Sequence, residues 1–325
     1  MMEIIERHGI TIALVSAEEA GAAPWRSAGR RLDVVRVSGE FAEYRPALLR
    51  QQFVPKPIML TWIAELGGSE EEFLAGLATK PRQDIRRAQR RSADGGLRIE
   101  VERPPSERSV DRFLELYLDR VATMRHGVTF ADRSRSEILG SGRYFGVFAY
   151  DGTRLAGSAI VRECPDVDAI RIRFSAVVED WRRASLARVL YFTAMREARA
   201  RGFRHATLGD EPNLYGHLTQ PGLLAFKSSS GFRAVPSQDF GDPAGHDVAD
   251  LVVGLTVLND PSIVLGYADP ADGTDRRLTA YLYSLGDPDQ RPFSAPFLAG
   301  IAVRRPGEVA PGTVAKSLAE LHRLG

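Results

Sequence analysis

Residues 143–203 decide the fold of this chain: RYFGVFAYDGTRLAGSAIVRECPDVDAIRIRFSAVVEDWRRASLARVLYFTAMREARARGF. Two apolar-rich runs flank Asp151 and Gly152, a pattern that predicts a β-hairpin. Strict alternation of apolar and polar residues over Ile170–Ala176 predicts a half-buried strand, and the helical spacing that follows ends at Gly202. The stretch therefore predicts two paired strands, a third strand and an amphipathic helix.

Helix and strand patterns continue on both sides of this stretch. SVDRFLELYLDRVATM (109–124) has apolar residues at helical spacing, and HATLGD (205–210) predicts a short strand. PGLLAFKSSSGF (221–232) predicts a helix with proline near its start and glycine at its end, before a last strand in 232–240. The predicted order over 109–240 is α-β-β-β-α-β-α-β, a mixed α/β fold.

Shorter elements precede residue 100. RRLDVVRVSG (30–39) and PIMLTWIAEL (57–66) predict strands, and the run from 69 to 91 predicts helix. Pro81 lies inside that run, so we expect one helix to end or kink there and a second to open with Pro81 in its first turn. The triplet Asp-Gly-Gly at 94–96 then ends the second helix.

Length and composition indicate how many domains to expect. The 325 residues exceed one ordinary domain, which has about 100 to 200 residues. The composition, 44% hydrophobic and 26% charged, is that of a folded globular protein. We predict an incomplete N-terminal domain in 1–104, completed by 241–325, and a more complete domain in 105–240. The formal net charge of +1 means that any site for a polyanion must be local.

The single cysteine, Cys164, excludes an intrachain disulfide and a Cys-x-x-Cys metal site. The N-terminus lacks the pattern of a secretory signal peptide, and the chain contains no apolar run as long as the roughly 18 residues that a membrane span requires. We therefore expect a cytoplasmic protein that has no transmembrane segment and no structural metal.

The order of elements over 109–240 resembles the core of the GNAT acyltransferase superfamily. GDEPNLYGHLTQPGLLAFKSSSGF (209–232) is similar to the Fem-type branch, the FemABX aminoacyl-tRNA-dependent transferases, in which a strand end precedes a helix carrying Phe-Lys and a Gly-Phe exit. KPRQDIRRAQRRSADGGLRIEV (80–101) resembles the Fem-type segment before the second domain. The resemblance implies an α/β protein of two GNAT-like domains, the second of them more complete.

The resemblance also implies an activity. A Fem-type enzyme transfers an amino acid from charged tRNA to an amine, which here would be a peptidoglycan precursor or a small natural-product metabolite, and forms an amide. The tRNA ester is already activated, so no ATP, metal or other cofactor is expected, and DNA is not an expected partner. Two alternatives stay open: an acyl-CoA-dependent N-acyltransferase, and a degenerate GNAT fold that acts as a binding module.

Three residues are candidate catalytic groups. The resemblance implies that Lys227 holds the ester carbonyl and stabilises the oxyanion, or binds the tRNA end. Asp210 and Glu211 follow a strand at its C-terminal end, where a carboxylate can hold the attacking ammonium or accept its proton. The alternatives are a surface lysine and two turn residues. The same segment supplies candidate pocket residues, Tyr215, His217 and Phe226.

An arginine-rich helix is a candidate for binding phosphate. Its arginines recur at helical spacing, so they share one broad face whose mutual repulsion a polyanion would relieve. The alternative is a solvated face that Asp84 neutralises in part. The arginines are Arg82, Arg86, Arg87, Arg90 and Arg91.

The turn before the amphipathic helix bears on the acyl carrier. GNAT enzymes that use acyl-CoA carry Arg-x-x-Gly-x-Gly/Ala there, because glycine lets the backbone approach the pyrophosphate. This chain has Ala184 and Leu186 at the two positions, where we expect the Cβ atoms and the leucine side chain to obstruct that approach. Arg182 and Arg183 can still meet a phosphate, or can be a solvated helix start. The departure favours a carrier other than CoA.

Overall fold

The computed structural model describes residues 2–124 and 129–307. Its strands are β1 (Glu3–Arg7), β2 (Ile10–Val15), β3 (Val34–Ser38), β4 (Val54–Pro57), β5 (Met59–Glu65), β6 (Arg98–Glu102), β7 (Tyr144–Asp151), β8 (Arg154–Cys164), β9 (Ala169–Val177), β10 (His205–Pro212), β11 (Arg233–Pro236), β12 (Asp247–Val252), β13 (Ser262–Tyr267), β14 (Leu278–Tyr283) and β15 (Leu298–Arg304). Its helices are α1 (Ala17–Ala20), α2 (Arg45–Arg50), α3 (Glu70–Ala75), α4 (Thr79–Asp94), α5 (Glu107–Ala122), α6 (Arg135–Gly140), α7 (Glu179–Arg182), α8 (Leu186–Ala200) and α9 (Pro221–Ser229).

The predicted mixed α/β fold is confirmed. Over 109–240 the predicted order of elements recurs, with the short helices α6 and α7 added to it. The hairpin of β7 and β8 turns at Gly152, whose φ of 59° lies in the left-handed region that glycine tolerates best. Pro81 stands in the first turn of α4, because a missing N–H costs nothing there.

The chain divides into two compact units. Of the described residues, the first unit comprises 2–60, 211–226 and 235–307, and the second comprises 61–124, 129–210 and 227–234.

The boundary differs from the one expected from the sequence, which ended the first domain at residue 104. Residues 61–104 belong to the second unit because α4 packs against α8 and β6 pairs with β7. Strand β12, which belongs to the segment 241–325, lies between β3 and β4 in the first unit. The part of that segment at 308–325 lies outside the described residues.

The first unit contains a five-stranded sheet, in the order β1-β2-β3-β12-β4, and a three-stranded sheet, in the order β13-β14-β15. A buried ion cluster joins three strands of the larger sheet. Asp250 of β12 accepts hydrogen bonds from Nε and Nη2 of Arg36 at 2.7 and 2.8 Å, and Nζ of Lys56 lies 3.2 Å from its carboxylate.

Burial and charge act against each other in this ion cluster. Burial by itself would raise the pKa of Asp250, but the two neighbouring cations lower it to about 2. Burial lowers the pKa of Lys56 despite the attraction of Asp250. The cluster is therefore stabilising only while all three charges are present.

The second unit is built on a seven-stranded sheet, in the order β11-β5-β10-β9-β8-β7-β6. Helices cover it on both sides. Phe174 of β9 packs against Tyr117 of α5, whereas its neighbour Ser175 lies 2.9 Å from the hydroxyl of Tyr191 of α8. Because successive side chains of a strand point to opposite faces, α5 and α8 lie on opposite faces of the sheet. Among the described helices, none is long and apolar enough to cross a membrane.

Candidate functional site

Two neighbouring strands of the second unit separate at the middle of its sheet. Strand β10 runs parallel to β9, with His205–Thr207 in register with Ala169–Arg171. Among the described residues the pairing ends there, although β9 continues to Val177. Gly209, with a φ of 76°, turns β10 away. The backbone of β9 beyond Arg171 is thereby left without β10 as a partner.

Asp210 lies just after the point of separation. Its carboxylate accepts a hydrogen bond from the hydroxyl of Thr61 on β5, and Nη2 of Arg171 lies 3.5 Å away. A charged carboxylate can hold an ammonium group or accept its proton.

Lys227 is buried in the same unit. Its side chain is 7% exposed, and its Nζ lies 5.2 Å from the centroid of the Trp62 ring. A cation over an aromatic face is attracted by the ring quadrupole. The sequence alternative of an exposed surface lysine is therefore wrong.

The two candidates lie on opposite faces of the sheet. Thr61 and Trp62 are consecutive residues of β5, so their side chains point to opposite faces. Thr61 contacts Asp210, whereas Trp62 contacts Lys227. The two groups can act on one reacting centre only if that centre sits in the plane of the sheet.

The remaining candidates from the same segment lie in the first unit. Glu211 accepts a 2.6 Å hydrogen bond from the hydroxyl of Tyr215, a side chain with no solvent exposure. Nε2 of His217 lies 2.8 Å from the carbonyl of His8, and Phe226 is half-buried. Tyr215 and His217 are thus held by contacts within the packing of the first unit.

The arginines of α4 form a solvent-facing surface. Ile85 and Ala88 are buried on the other side of the helix. Among the arginines, Arg82 is half-buried and the others, Arg86, Arg87, Arg90 and Arg91, are exposed. Asp84 lies 3.7 Å from Arg87 and offsets part of the charge.

The segment before α8 contains two arginines that are candidates for phosphate contact. Arg182 and Arg183 are exposed, and Arg182 donates a 2.8 Å hydrogen bond to Glu179, which lowers the pKa of that carboxyl. Ser185 adopts a φ of 63° where a glycine would be relaxed.

The expectation that the Leu186 side chain obstructs a pyrophosphate is corrected by the structure. Leu186 is 1% exposed, and its side chain lies against Gly157 of β8. This placement is favourable, because burial of a leucine side chain contributes about 1.5 to 3 kcal/mol. The predicted obstruction of a pyrophosphate then rests on the Cβ of Ala184 and on Ser185, whose φ is positive.

Several polar residues near these candidates were not found from the sequence. Nη2 of Arg188, in the first turn of α8, donates a 2.7 Å hydrogen bond to the hydroxyl of Ser229, two residues after Lys227. Arg188 thereby ties the end of α9 to α8. No local pattern could have indicated this pair or Trp62, since the partners are far apart in the sequence.

A second polar cluster lies on the face that α5 and α6 cover. Glu137 of α6 accepts hydrogen bonds from Arg173 at 2.6 Å and from the Tyr144 hydroxyl at 2.9 Å. Burial opposes ionisation, but these hydrogen bonds hold the pKa of Glu137 below its usual value. Burial and the hydrogen bond to Glu137 raise the pKa of Tyr144. No three potential metal-ligating side chains cluster within the described residues.

Comparison with known proteins addresses the family. Residues 79–216 match the family model of the acetyltransferase (GNAT) domain. No curated protein matches the sequence.

Solved structures with similarity include FemX, which is 14% identical with a TM-score of 0.44 over 78% of this chain and 83% of FemX. L-PGS from Bacillus licheniformis is 10% identical with a TM-score of 0.39, over 76% of this chain and 79% of that one. An aminoglycoside acetyltransferase from an uncultured soil metagenomic sample is 14% identical with a TM-score of 0.29, over 34% of this chain and 74% of that one. The matched span contains the separation of β9 and β10 together with Asp210, and the match confirms, over these residues, the resemblance to the GNAT superfamily.

Proposed function

We propose that this acyltransferase moves an amino acid from charged tRNA to an amine acceptor. The observation that carries the proposal is the buried ammonium of Lys227, held 5.2 Å over the ring of Trp62. Because the side chain is buried, its ammonium group faces the protein interior and not bulk water. An ammonium in a dry environment stabilises a developing oxyanion far more strongly than it would in water.

The reaction needs few groups, because the ester of an aminoacyl-tRNA is already activated. The nitrogen lone pair of the acceptor attacks the ester carbonyl, and Lys227 stabilises the oxyanion that forms. The carbon–oxygen bond to the ribose then breaks, the ribose oxygen leaves with the proton that the attacking nitrogen gives up, and an amide remains. Before the attack, Asp210 accepts the proton that the acceptor's ammonium group must lose to free its lone pair. Most of the acceleration comes from proximity and from oxyanion stabilisation.

The opposite placement of the two groups suits a two-sided approach. The donor ester reaches the point of separation from the face of Lys227, and the amine reaches it from the face of Asp210. Helix α4 packs against α8, which covers the face of Lys227, so its exposed arginines lie on the donor side. They supply phosphate contacts along the tRNA acceptor strand.

A second candidate is an acyl-CoA-dependent N-acyltransferase, which the match to an acetyltransferase domain favours. It needs the same attack and the same oxyanion. It differs in the carrier, whose pyrophosphate would have to bind at the turn from Arg182 to Ala187. That turn contains no glycine.

The test is a transfer assay. The protein is incubated with total tRNA charged with labelled amino acids and with a panel of amines that includes peptidoglycan precursors and small metabolites. We expect the label to move from a hydroxylamine-labile ester to a hydroxylamine-resistant amide, and Lys227→Ala to abolish most of this transfer. Transfer from acetyl-CoA without transfer from tRNA would select the second candidate, and transfer from neither carrier would contradict both.

A further inference from the structure

Three arginines, here called the arginine row, cross one face of the seven-stranded sheet: Arg162, Arg171 and Arg173. Arg162 of β8 lies in register with Arg171 of β9, and Arg173 is two residues further along β9. Register partners share one face, and Arg162 and Arg173 both approach Glu137, so the three side chains lie side by side. The sequence already shows the alternation in β9, and the proposed reaction makes no use of it.

Arg173 occupies an irregular position in the sheet. The register shifts from Ile160 opposite Phe174 to Val161 opposite Ile172, so Arg173 is the extra residue of a bulge. Bulges are frequent next to active sites, where they redirect a side chain. This one directs Arg173 toward Glu137 of α6.

The arginine row is under-compensated by the carboxylates around it. Glu137 accepts a 2.6 Å hydrogen bond from Arg173, and its carboxylate lies 3.8 Å from Arg162. Asp210 lies 3.5 Å from Arg171. Among the contacts of the described residues, three guanidinium groups thus share two carboxylates. Nε of Arg171 is buried and has no hydrogen-bond partner among them. An unsatisfied buried donor is costly, and a bound anion is one way to offset that cost.

The arginine row also lies at the reacting end of the sheet. Arg171 is the last residue of β9 that pairs with β10, at Thr207, so the row begins where the two strands separate. It shares the face of Asp210, opposite to Lys227. The side chains are 28 to 37% exposed, which leaves them accessible to a solute. The α4 arginines cannot serve this face, because α4 packs against α8.

We propose that the arginine row binds a carboxylate or phosphate group carried by the amine acceptor. The identification of the bound molecule as the amine acceptor rests on the proposed function, whereas the existence of the anion site does not. Asp210 holds the amine and the arginine row holds the anion, so the substrate class is an amine with a second, anionic group. Planar guanidinium groups suit both anions, since each presents paired oxygens.

The first test needs no donor and no catalysis. Inorganic phosphate and acetate are titrated separately against the full chain, and the rise in melting temperature reports binding. The variants are Arg162→Gln and Arg171→Gln, and the control is Arg204→Gln, an exposed arginine paired with Asp168. We expect each row variant to need about tenfold more ligand for the same rise, as the loss of one charge-assisted hydrogen bond implies. The control should match the wild type.

The second test uses the transfer assay with matched acceptors, amino acids against their carboxamides, and phosphate esters against their alcohols. The wild type should favour the anionic member of the preferred pair, and Arg171→Gln should lose about tenfold of that preference. The pair that shows the effect identifies the anion. Phosphate binding that is unchanged in both row variants and lost in Arg86→Glu/Arg90→Glu would overturn the proposal. Row-dependent binding without any transfer from tRNA would instead overturn the proposed function.

Discussion

Thr61 and Trp62 are consecutive residues of β5 that serve opposite faces of one sheet. The hydroxyl of Thr61 binds the carboxylate of Asp210, and the ring of Trp62 lies beneath the ammonium of Lys227. One strand therefore positions a candidate base on one side and a candidate oxyanion donor on the other. This division predicts that substitution of Lys227 impairs the use of the donor ester, whereas substitution of Asp210 impairs the use of the amine acceptor.

Replacing Lys227 tests the donor side. Lys227→Ala should lower turnover by at least about tenfold, as removal of one oxyanion donor does. Lys227→Met keeps the packing against Trp62 without the charge, so it should be equally slow, while Lys227→Arg should recover activity only in part. Single-turnover kinetics and thermal unfolding separate chemistry from stability. Near-normal rates in a folded Lys227→Met protein would end the proposed role.

Replacing Asp210 tests the acceptor side. Asp210→Asn should lower kcat/KM for the amine by about a hundredfold, the lower end of general-base effects, and should leave tRNA binding unchanged. Thr61→Val is the matched variant, because it keeps the carboxylate and removes one hydrogen bond to it. The measurements are acceptor kinetics and a tRNA binding isotherm. Equal losses of tRNA affinity in Asp210→Asn and Lys227→Ala would contradict the two-sided arrangement.

Charge reversal on α4 tests the carrier contacts. Arg86→Glu/Arg90→Glu should weaken tRNA binding and reduce the slope of log affinity against log salt by about 1.5 to 2, since fewer counterions are released. Arg204→Glu/Arg291→Glu reverses two exposed arginines elsewhere in the described chain and should leave the slope as it is. A slope unchanged by the α4 substitutions would assign these arginines to a solvated face.

Coenzyme A tests the turn before α8. Titration with CoA and acetyl-CoA up to about millimolar, the upper range of ordinary substrate KM values, should show no binding. The Leu186 side chain is buried and does not contribute to this result. We expect the Cβ of Ala184 and the positive φ of Ser185 to keep the backbone N–H groups from approaching the pyrophosphate. Introducing glycine at both positions should relax the turn and is the informative variant. Low-micromolar binding by the wild type would favour the acyl-CoA alternative.

The ion cluster of the first unit predicts a pH dependence of stability. The folded pKa of Asp250, about 2, lies below its usual value of 3.8. Its contribution is therefore present above pH 4 and is lost as the pH falls toward 2, about 2 kcal/mol in total. Asp250→Asn should cost about 3 to 5 kcal/mol at neutral pH, because Arg36 and Lys56 stay buried without their counterion.

Urea unfolding from pH 2 to 7 measures both effects. Adding Lys56→Met to Asp250→Asn should recover part of the loss, because one unpaired charge is removed. A denaturation midpoint for Asp250→Asn equal to that of the wild type would contradict the account.

The sequence by itself determined the local elements and their order. The hairpin at Gly152, the alternating strand β9 and the arginine face of α4 follow from periodicity and from turn residues, which act over a few positions. The superfamily could be named because its motif is a run of such elements. The alternation of Arg171 and Arg173 with apolar residues is visible in the sequence as well, but the anion site that we propose for them is not.

Only the tertiary structure decided which of these residues meet. Strand β5 enters the sheet between β10 and β11, far from both in sequence, and this order places Thr61 beside Asp210 and Trp62 beneath Lys227. The same long-range packing assigns residues 61–104 to the second unit. Periodicity tells which face of its own element a side chain occupies. What lies against that face depends on strand order and helix packing, which no local pattern encodes.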